Sequence, residues 1–257
     1  MSRLIRPLLL LIVIGSLGYF TFYCVNASLN KSRQENLSEL TDTVVDVKNV
    51  YQTGPTAVSL SREDKVISKY RALYLKNKNL IGWLKIDDTN IDYPVMQSVN
   101  GNGDFYLNHD FDGNEDRNGT LFMDDECDSL KPSVNLIIYG HNMKSGQMFG
   151  TLTAYKSQDF YKKHSQLHFD TIFEEGSYEV AYVFESKVYS ETDITFKYYQ
   201  FIDPVSEAEF DSAIKSMQEM SIYDTGVEVK YGDRLLTLST CDYDEENGRF
   251  VVVCRRR

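Results

Sequence analysis

The sequence predicts a mainly β protein, folded as a closed or sandwich-like β domain. Eight short runs rich in apolar, β-branched and aromatic residues are separated by turn-rich segments, a pattern typical of such domains. Hydrophobic residues make up 42% of the chain and aromatic residues 13%, which is enough to fill a substantial core. The eight runs are 81–86, 91–96, 120–123, 135–139, 167–169, 178–189, 234–240 and 250–254.

The first element is a helix with the properties of a membrane anchor. Residues 7–25 carry no charged side chain, and as a helix they would span about 28 Å, close to the hydrocarbon thickness of a bilayer. Two arginines lie within residues 1–6, so the positive-inside rule assigns that segment to the cytoplasm. A cleaved signal peptide is the alternative, because residues 25–27 resemble a cleavage site. The apolar stretch is longer than a usual signal core, which favours an uncleaved anchor.

The segment after the anchor is polar and then becomes helical. Residues 26–60 have a mixed, polar composition, which predicts a stalk that is partly helical around 34–47. A helical pattern opens at residue 61 or 62 and ends near 77–79. Its apolar residues recur at three- and four-residue spacing on one face, namely Val66, Tyr70, Leu73 and Tyr74.

Two further helices interrupt the predicted strands. One covers residues 149–163. The other begins at Ser206, where Ser206 and Glu209 match a capping box. The apolar face of this second helix consists of Phe210, Ile214 and Met217.

Charge, motifs and cysteine content exclude several classes of function. The net charge of −11 argues against a nucleic-acid partner, which would require a basic face. The sequence contains no CxxC, HExxH, Walker or dinucleotide-type glycine motif, so we expect neither a metal nor a cofactor. Cys127, Cys241 and Cys254 lie beyond the anchor, and an odd number leaves at least one free thiol. We expect Cys127 and Cys254 to be buried and unpaired, with a disulfide between them as the alternative.

One thiol occupies a position that suits a nucleophile. Cys241 ends the β-prone run 237–241, and Arg249 follows an acidic, turn-like stretch and precedes the next run. Two strands joined by that turn would bring the thiol and the guanidinium to the same edge of a sheet. A fixed positive charge favours the thiolate, which is the reactive form of cysteine. The alternative is a structural cysteine in a core strand.

A cysteine nucleophile usually works with a histidine, and the chain has 4. His141 directly follows a strand, and Gly140 before it allows a sharp exit toward a groove. His109 lies in a polar loop, His164 ends a helix, and His168 lies within a strand. Position favours His141, while each of these residues remains a candidate for a solvated or core histidine.

The chain resembles the sortase family in three segments, which match the family's active-site segments in order: 139–141, 237–241 and 249–253. Residues 104–107 and 119–124 are similar to class B members, and the resemblance covers the chain from about residue 61 onward. It implies an eight-stranded sortase-type β-barrel with N-terminal helices and a helix between strands 6 and 7. It also implies that residues 61–257 form the extracellular catalytic domain of a membrane-anchored enzyme on the surface of a Gram-positive bacterium.

The resemblance further implies a cysteine transpeptidase. Cys241 would be the nucleophile that attacks a Thr carbonyl in a C-terminal sorting signal and forms a thioacyl-enzyme. His141 would be the general acid and base, and Arg249 with the backbone N–H of Asp242 would stabilise the oxyanion. An amine of the cell-wall peptidoglycan, or of its lipid-linked precursor, would then accept the protein.

The resemblance also implies two residues that line the groove, and three alternative functions stay open. Ser239 and Leu107 match groove-lining positions of class B members, so they would bind the sorting-signal peptide. A groove-lining Asn of the family falls at Gly103 here, beside Asn102, and that role stays unassigned. A pilin polymerase that uses a pilin lysine, and a non-catalytic membrane-anchored β-barrel that only binds, are the alternatives. A hydrolytic cysteine protease is less favoured because papain-type and caspase-type signatures are absent.

Overall fold

Eight strands close into a barrel, as the resemblance implied, and the mainly β prediction is confirmed. A computed structural model of the chain describes residues 2–42, 63–98, 101–241 and 247–257. Each run predicted from the sequence overlaps one strand. The strands are β1 (Leu80–Lys85), β2 (Asp92–Met96), β3 (Leu121–Met123), β4 (Asn135–Tyr139), β5 (Gln166–Thr171), β6 (Ser177–Lys187), β7 (Leu235–Cys241) and β8 (Gly248–Arg256).

The order of the strands determines which strand ends meet. Around the barrel they run β1-β2-β3-β4-β7-β8-β6-β5. β4 and β7 are parallel, with Tyr139 opposite Ser239, whereas β7 and β8 are antiparallel, with Cys241 opposite Arg249. The carboxyl ends of β4 and β7 therefore lie side by side, at the edge of the barrel where β8 begins.

The helices lie outside the barrel. The α-helices in the described residues are α1 (Ser2–Asp42), α2 (Ser68–Lys76), α3 (Gln158–Lys163) and α4 (Glu207–Met220). Short 3₁₀ turns occupy Glu63–Lys65, Phe105–Leu107, Leu152–Lys156 and Tyr198–Gln200.

Apolar side chains fill the barrel and also cover it on two outer faces. Inward side chains such as Leu84, Leu238 and Val252 form the barrel core.

Neighbouring residues on β8 point outward, because side chains alternate along a strand. Val251 and Val253 thus pack with the apolar face of α4, in a layer that also contains Phe210, Ile214 and Met217. A second outer layer joins α1 and α2 to β1, through Leu37, Tyr70, Leu73 and Trp83.

α1 continues further than the sequence predicted. We expected helix around residues 34–47 of the stalk, but α1 runs unbroken from the apolar stretch to Asp42. No Gly or Pro interrupts residues 19–42, and Leu37 is buried against the layer that contains Val66 and Tyr70. Tertiary packing therefore stabilises a helix whose polar composition alone suggested a stalk. The remainder of the predicted stalk, residues 43–60, lies outside the described residues.

The first half of α1 differs from its second half. Its large apolar side chains between Leu9 and Leu29 are exposed. By length and composition, α1 is the one helix in the described part of the chain that could cross a membrane.

Two predicted helices have different bounds in the structure. The pattern from residue 61 or 62 begins as a 3₁₀ turn at Glu63–Lys65, and the α-helix starts only at Ser68. The predicted helix 149–163 is divided at Ser157, which is extended, into a 3₁₀ turn and α3. The 3₁₀ geometry places Leu152 and Tyr155 on one face, and both are fully buried.

The helix predicted from Ser206 is confirmed, and it lies between β6 and β7. The Ser206 hydroxyl accepts a hydrogen bond from the backbone N–H of Glu209 (3.2 Å). The Glu209 carboxylate in turn accepts from the N–H of Val205 (2.9 Å), one residue earlier than a standard capping box.

Candidate active site

A groove of about 360 Å³ opens where β4, β7 and β8 meet. Its walls come from these strand ends, from the loop before β3 and from the long connection between β6 and β7. The lining residues are Asp104, Leu107, Phe122, Asp124, Tyr139, Gly140, His141, Val188, Tyr198, Tyr199, Ser239, Thr240, Cys241 and Arg249. The structure thus brings together five of the six residues named from the sequence. The sixth, Asp242, lies outside the described residues.

Cys241 and Arg249 lie opposite each other on adjacent strands. The Cys241 thiol is free and half-buried. The guanidinium of Arg249 is held by its own turn, because Nη1 donates to the carbonyl of Gly248 (2.9 Å) and more weakly to that of Asn247 (3.3 Å). This register confirms the prediction that Cys241 and Arg249 lie at the same edge of the sheet.

The exit of the chain after β4 places His141 at the same end of the barrel. The backbone N–H of Gly140 donates to the carbonyl of Ser239 (3.3 Å), and the Thr240 hydroxyl donates to the carbonyl of Gly140 (2.7 Å). A Cβ at Gly140 would come within 2.3 Å of Leu121 Cδ2 and 2.9 Å of Phe149 Cδ2. Only glycine therefore allows β4 to continue against the barrel core and deliver the next residue, His141, to the groove.

One backbone carbonyl orients the imidazole. Nε2 of His141 lies 2.8 Å from the carbonyl oxygen of Leu107. A carbonyl can only accept, so Nε2 carries the proton in this arrangement. Nδ1 is consequently the ring nitrogen that can exchange a proton with a reacting group.

Asn142 links the histidine loop to the nucleophile strand, and sequence reasoning missed it. Its side-chain amide donates to the carbonyl of Cys241 (2.9 Å). This bond crosses from the segment that carries His141 to the last residue of β7. The only signal in the sequence was a polar side chain directly after the candidate histidine.

Ser239 forms part of a buried hydroxyl pair in the groove wall. Its Oγ lies 2.7 Å from the hydroxyl of Tyr198, and both residues are almost completely buried. Burial raises the pKa of Tyr198 to about 12, although the hydrogen bond with Ser239 and the charge of Arg249 act in the opposite direction. The phenol is therefore neutral near pH 7, and the connection between β6 and β7 is fastened to the strand that carries Cys241.

Two acidic residues, Asp104 and Asp124, also line the groove. The hydroxyl of Tyr139 donates to Asp124 (2.9 Å). Burial first, and then the charge of Asp124, raise the pKa of Tyr139 above its ordinary value. The groove wall thus includes a neutral phenol and two carboxyl groups.

The other three histidines lie elsewhere. His109 stacks on Phe105 at 3.8 Å between ring centroids, and His164 stacks on Phe160 at 4.0 Å. His168 is exposed on β5. None of the three lines the groove, whereas His141 does, so the geometry favours His141 among the four histidines.

The remaining cysteines outside the apolar helix are free and buried, as predicted, and no disulfide joins Cys127 to Cys254. Burial raises the pKa of the Cys127 thiol to about 12, and burial likewise raises that of Cys254. Both stay protonated near neutral pH.

Comparison with known proteins gives consistent matches. The sortase domain family model matches residues 84–257. The chain is 34% identical over 209 residues to Sortase B of Listeria monocytogenes, with 80% of each chain covered. It is 32% identical over 196 residues to Sortase B of Staphylococcus aureus, which covers 75% of this chain and 76% of the relative.

Solved structures agree with the sequence matches. The sortase B–substrate complex of Staphylococcus aureus gives a TM-score of 0.74 at 26% identity, covering 91% of this chain and 98% of that one. Sortase B of Bacillus anthracis in complex with AAEK1 gives a TM-score of 0.70 at 31% identity, covering 90% and 98%.

Thiol labelling tests the uniqueness of Cys241. We expect a charged methanethiosulfonate to modify Cys241 in the folded protein and to spare Cys127 and Cys254. A pKa of about 12 leaves Cys127 with roughly 1000-fold less thiolate than an ordinary thiol, and burial blocks access to both. Peptide mass spectrometry reads each site, with Cys24 counted separately and Cys241→Ser as the control. Equal labelling rates at Cys127 and Cys241 would contradict this expectation.

Proposed function

The chain belongs to the sortase family of cysteine transpeptidases, and we propose that it cleaves a C-terminal sorting signal after a Thr and transfers the surface protein to an amine of cell-wall peptidoglycan. The observation that most directly supports this proposal is the meeting of Cys241, His141 and Arg249 in one groove. Transpeptidation through a thioester needs a thiol nucleophile, a proton carrier and a cation near the reacting carbonyl. The groove holds one of each.

In the acylation half of the proposed reaction, the Cys241 thiolate attacks the carbonyl carbon of the Thr and a tetrahedral oxyanion forms. When the oxyanion collapses, the new C–S bond remains and the C–N bond breaks, so the departing amine needs a proton. His141 supplies that proton as an imidazolium, from Nδ1, because Nε2 is held by the Leu107 carbonyl. The products are a thioacyl-enzyme and the released C-terminal tail.

We assign oxyanion stabilisation to Arg249 and to the backbone N–H of Asp242. The bond from Nη1 to the Gly248 carbonyl orients the planar guanidinium within the groove. Asp242 directly follows Cys241 in the chain, so its N–H belongs to the peptide bond that the nucleophile residue itself forms. Preorganised donors of this kind typically contribute about 3–4 kcal/mol each.

In the second half, an amine attacks the thioester carbon. Neutral His141 accepts the proton that the amine loses, the C–S bond breaks, and the Cys241 thiolate is restored. Histidine and cysteine thus return to their starting states with one peptide bond exchanged for another. We propose an amine of peptidoglycan, or of its lipid-linked precursor, as the acceptor.

We further propose that Ser239 and Leu107 contact the sorting-signal peptide. The carbonyl of Leu107 is used by His141, so the contribution of this residue to the peptide would come from its half-buried side chain. The hydroxyl of Ser239 is held by Tyr198, which keeps it in the groove wall rather than in solvent.

We propose that residues 7–25 cross the membrane, with residues 1–6 in the cytoplasm and residues 61–257 outside it. The exposed apolar surface of the first half of α1 supports this topology. So do the two arginines that precede the apolar stretch.

Replacement of His141 tests its role in proton transfer. We expect His141→Ala to lower the turnover of a library of internally quenched peptides with a central Thr by about 10²–10⁴-fold. His168→Ala is the matched control, because His168 is exposed and distant from the groove, and it should keep nearly full turnover. An active His141→Ala enzyme would remove this residue from the mechanism.

Arg249→Lys separates two roles of the cation. If Arg249 only favours the thiolate, lysine should preserve most of the rate. We expect instead that Arg249→Lys fails almost as severely as Arg249→Ala, because lysine lacks the planar fork that can grip both Gly248 and the oxyanion. Turnover of the same peptides is the measurement, with circular dichroism as the control for folding. Near-native turnover by the lysine variant would leave Arg249 a purely electrostatic role.

A further inference from the structure

The loop that presents the Leu107 carbonyl to His141 folds back on itself. We call residues 104–120 the carbonyl loop, residues 104–110 its first arm and residues 114–120 its second arm. Backbone bonds join its two arms: Thr120 donates to Tyr106 (2.8 Å), Asp116 to Asn108 (2.9 Å) and Asp110 to Asn114 (2.9 Å). The Leu107 carbonyl lies in the first arm. It takes no part in the bonds between the arms and instead accepts a hydrogen bond from His141.

Both arms determine where the Leu107 carbonyl lies. In the first arm, the N–H of Leu107 donates to Asp104 (3.0 Å) in the 3₁₀ turn. In the second arm, Gly119 has a positive φ of 60°, and a Cβ at this residue would come within 2.3 Å of the Leu107 oxygen. The oxygen is thus enclosed by the second arm, and a shift of either arm moves the acceptor for His141.

A residue of α1 contacts both arms at once. Nη1 of Arg33 lies 2.8 Å from Asp110 in the first arm and 3.8 Å from Asp116 in the second. The Asp110 side chain is only 7% exposed and that of Asp116 17%, so both carboxylates are largely removed from water. Without Arg33, these two poorly solvated carboxylates would lose the cation that they share, which is costly in free energy. Arg33 therefore favours the closed arrangement of the carbonyl loop.

α1 is itself fixed to the catalytic domain on either side of Arg33. Leu37 is buried in the layer formed with α2 and β1. Toward the membrane-facing end, the side-chain amide of Gln147 donates to the carbonyl of Ala27 (3.4 Å). Gln147 belongs to the loop that follows His141, so α1 contacts both the loop that carries the imidazole and the loop that orients it.

We propose that Arg33 is a positioning residue that connects the carbonyl loop to α1. Through this connection the Leu107 carbonyl holds the imidazole of His141 in its reactive orientation. This inference rests on the proposed role of His141. If Arg33 acts in this way, the second half of α1 contributes to catalysis in addition to connecting the catalytic domain to the apolar segment.

Kinetics of the full-length protein test this proposal. We expect Arg33→Gln to lower kcat for the Thr-containing peptides by about 10–100-fold, as for a catalytic group displaced by about 1 Å, with KM changed less than about twofold. Lys31→Gln is the matched control, since Lys31 lies on the same helix in an exposed pair with Glu35, and it should leave kcat unchanged. Arg33→Lys should restore most of kcat, because a single nitrogen, Nη1, makes both contacts.

A second variant and a spectroscopic readout complete the test. Asp110→Asn keeps the oxygen that accepts from the N–H groups of Asp112 and Asn114 but removes the charge that faces Arg33, so it should reproduce the loss of kcat. It can also stand in for Arg33→Gln in the kinetic test if that variant does not fold.

A spectroscopic measurement reports on the imidazole directly. With ¹⁵N-labelled histidine, the wild type should show a slowly exchanging Nε2–H signal from His141, which is assigned by its absence in His141→Gln. Arg33→Gln should lose this signal although circular dichroism shows that it is folded at the assay temperature.

Two outcomes would overturn the proposal. One is a kcat of Arg33→Gln equal to that of Lys31→Gln, and the other is an unaltered Nε2–H signal in folded Arg33→Gln. The signal is independent of peptide cleavage. A failure of the proposed function, with no turnover by the wild type, is therefore distinguishable from a failure of this inference.

Discussion

The register of β7 between β4 and β8 is the constraint on which the site depends. Because side chains alternate along a strand, Leu236 and Leu238 fill the barrel, while Ser239 and Cys241 share the outer face. A slip of one residue would exchange the two sets, burying the thiol and exposing the leucines. The hydrophobic packing that closes the barrel therefore also holds Cys241 opposite Arg249. One register of β7 thus serves both the packing of the core and the geometry of the site.

Backbone carbonyls complete the positioning that the register begins. The carbonyl of Leu107 receives His141, that of Cys241 receives Asn142, and that of Gly140 receives Thr240. These acceptors belong to strands or to a hydrogen-bonded loop, so the groups that receive a substrate are already oriented before it arrives. Preorganisation of this kind suits the acyl transfer that we propose for this groove at the strand ends.

Local patterns in the sequence predicted the elements and the three residues to which we assign the chemistry. The strand runs, including those that hold Cys241 and Arg249, and the cap at Ser206 are encoded by neighbouring residues. The Asn142 bond, the Ser239–Tyr198 pair and the Leu107 carbonyl were not predictable, because each joins distant segments and the last involves no side chain at all. The division of helix 149–163 and the length of α1 were mispredicted for a related reason, since burial against the barrel overrides local propensity.

The proposed mechanism requires a covalent bond between Cys241 and the acyl half of the substrate. It can be measured by mass spectrometry of the full-length protein, acid-quenched during turnover of the Thr-containing peptides without an added amine. We expect a transient mass increase equal to the peptide fragment that ends in Thr, located on the proteolytic fragment that contains Cys241. Peptide cleavage with no adduct at any time, or with the adduct on another residue, would contradict the assignment of Cys241 as the nucleophile.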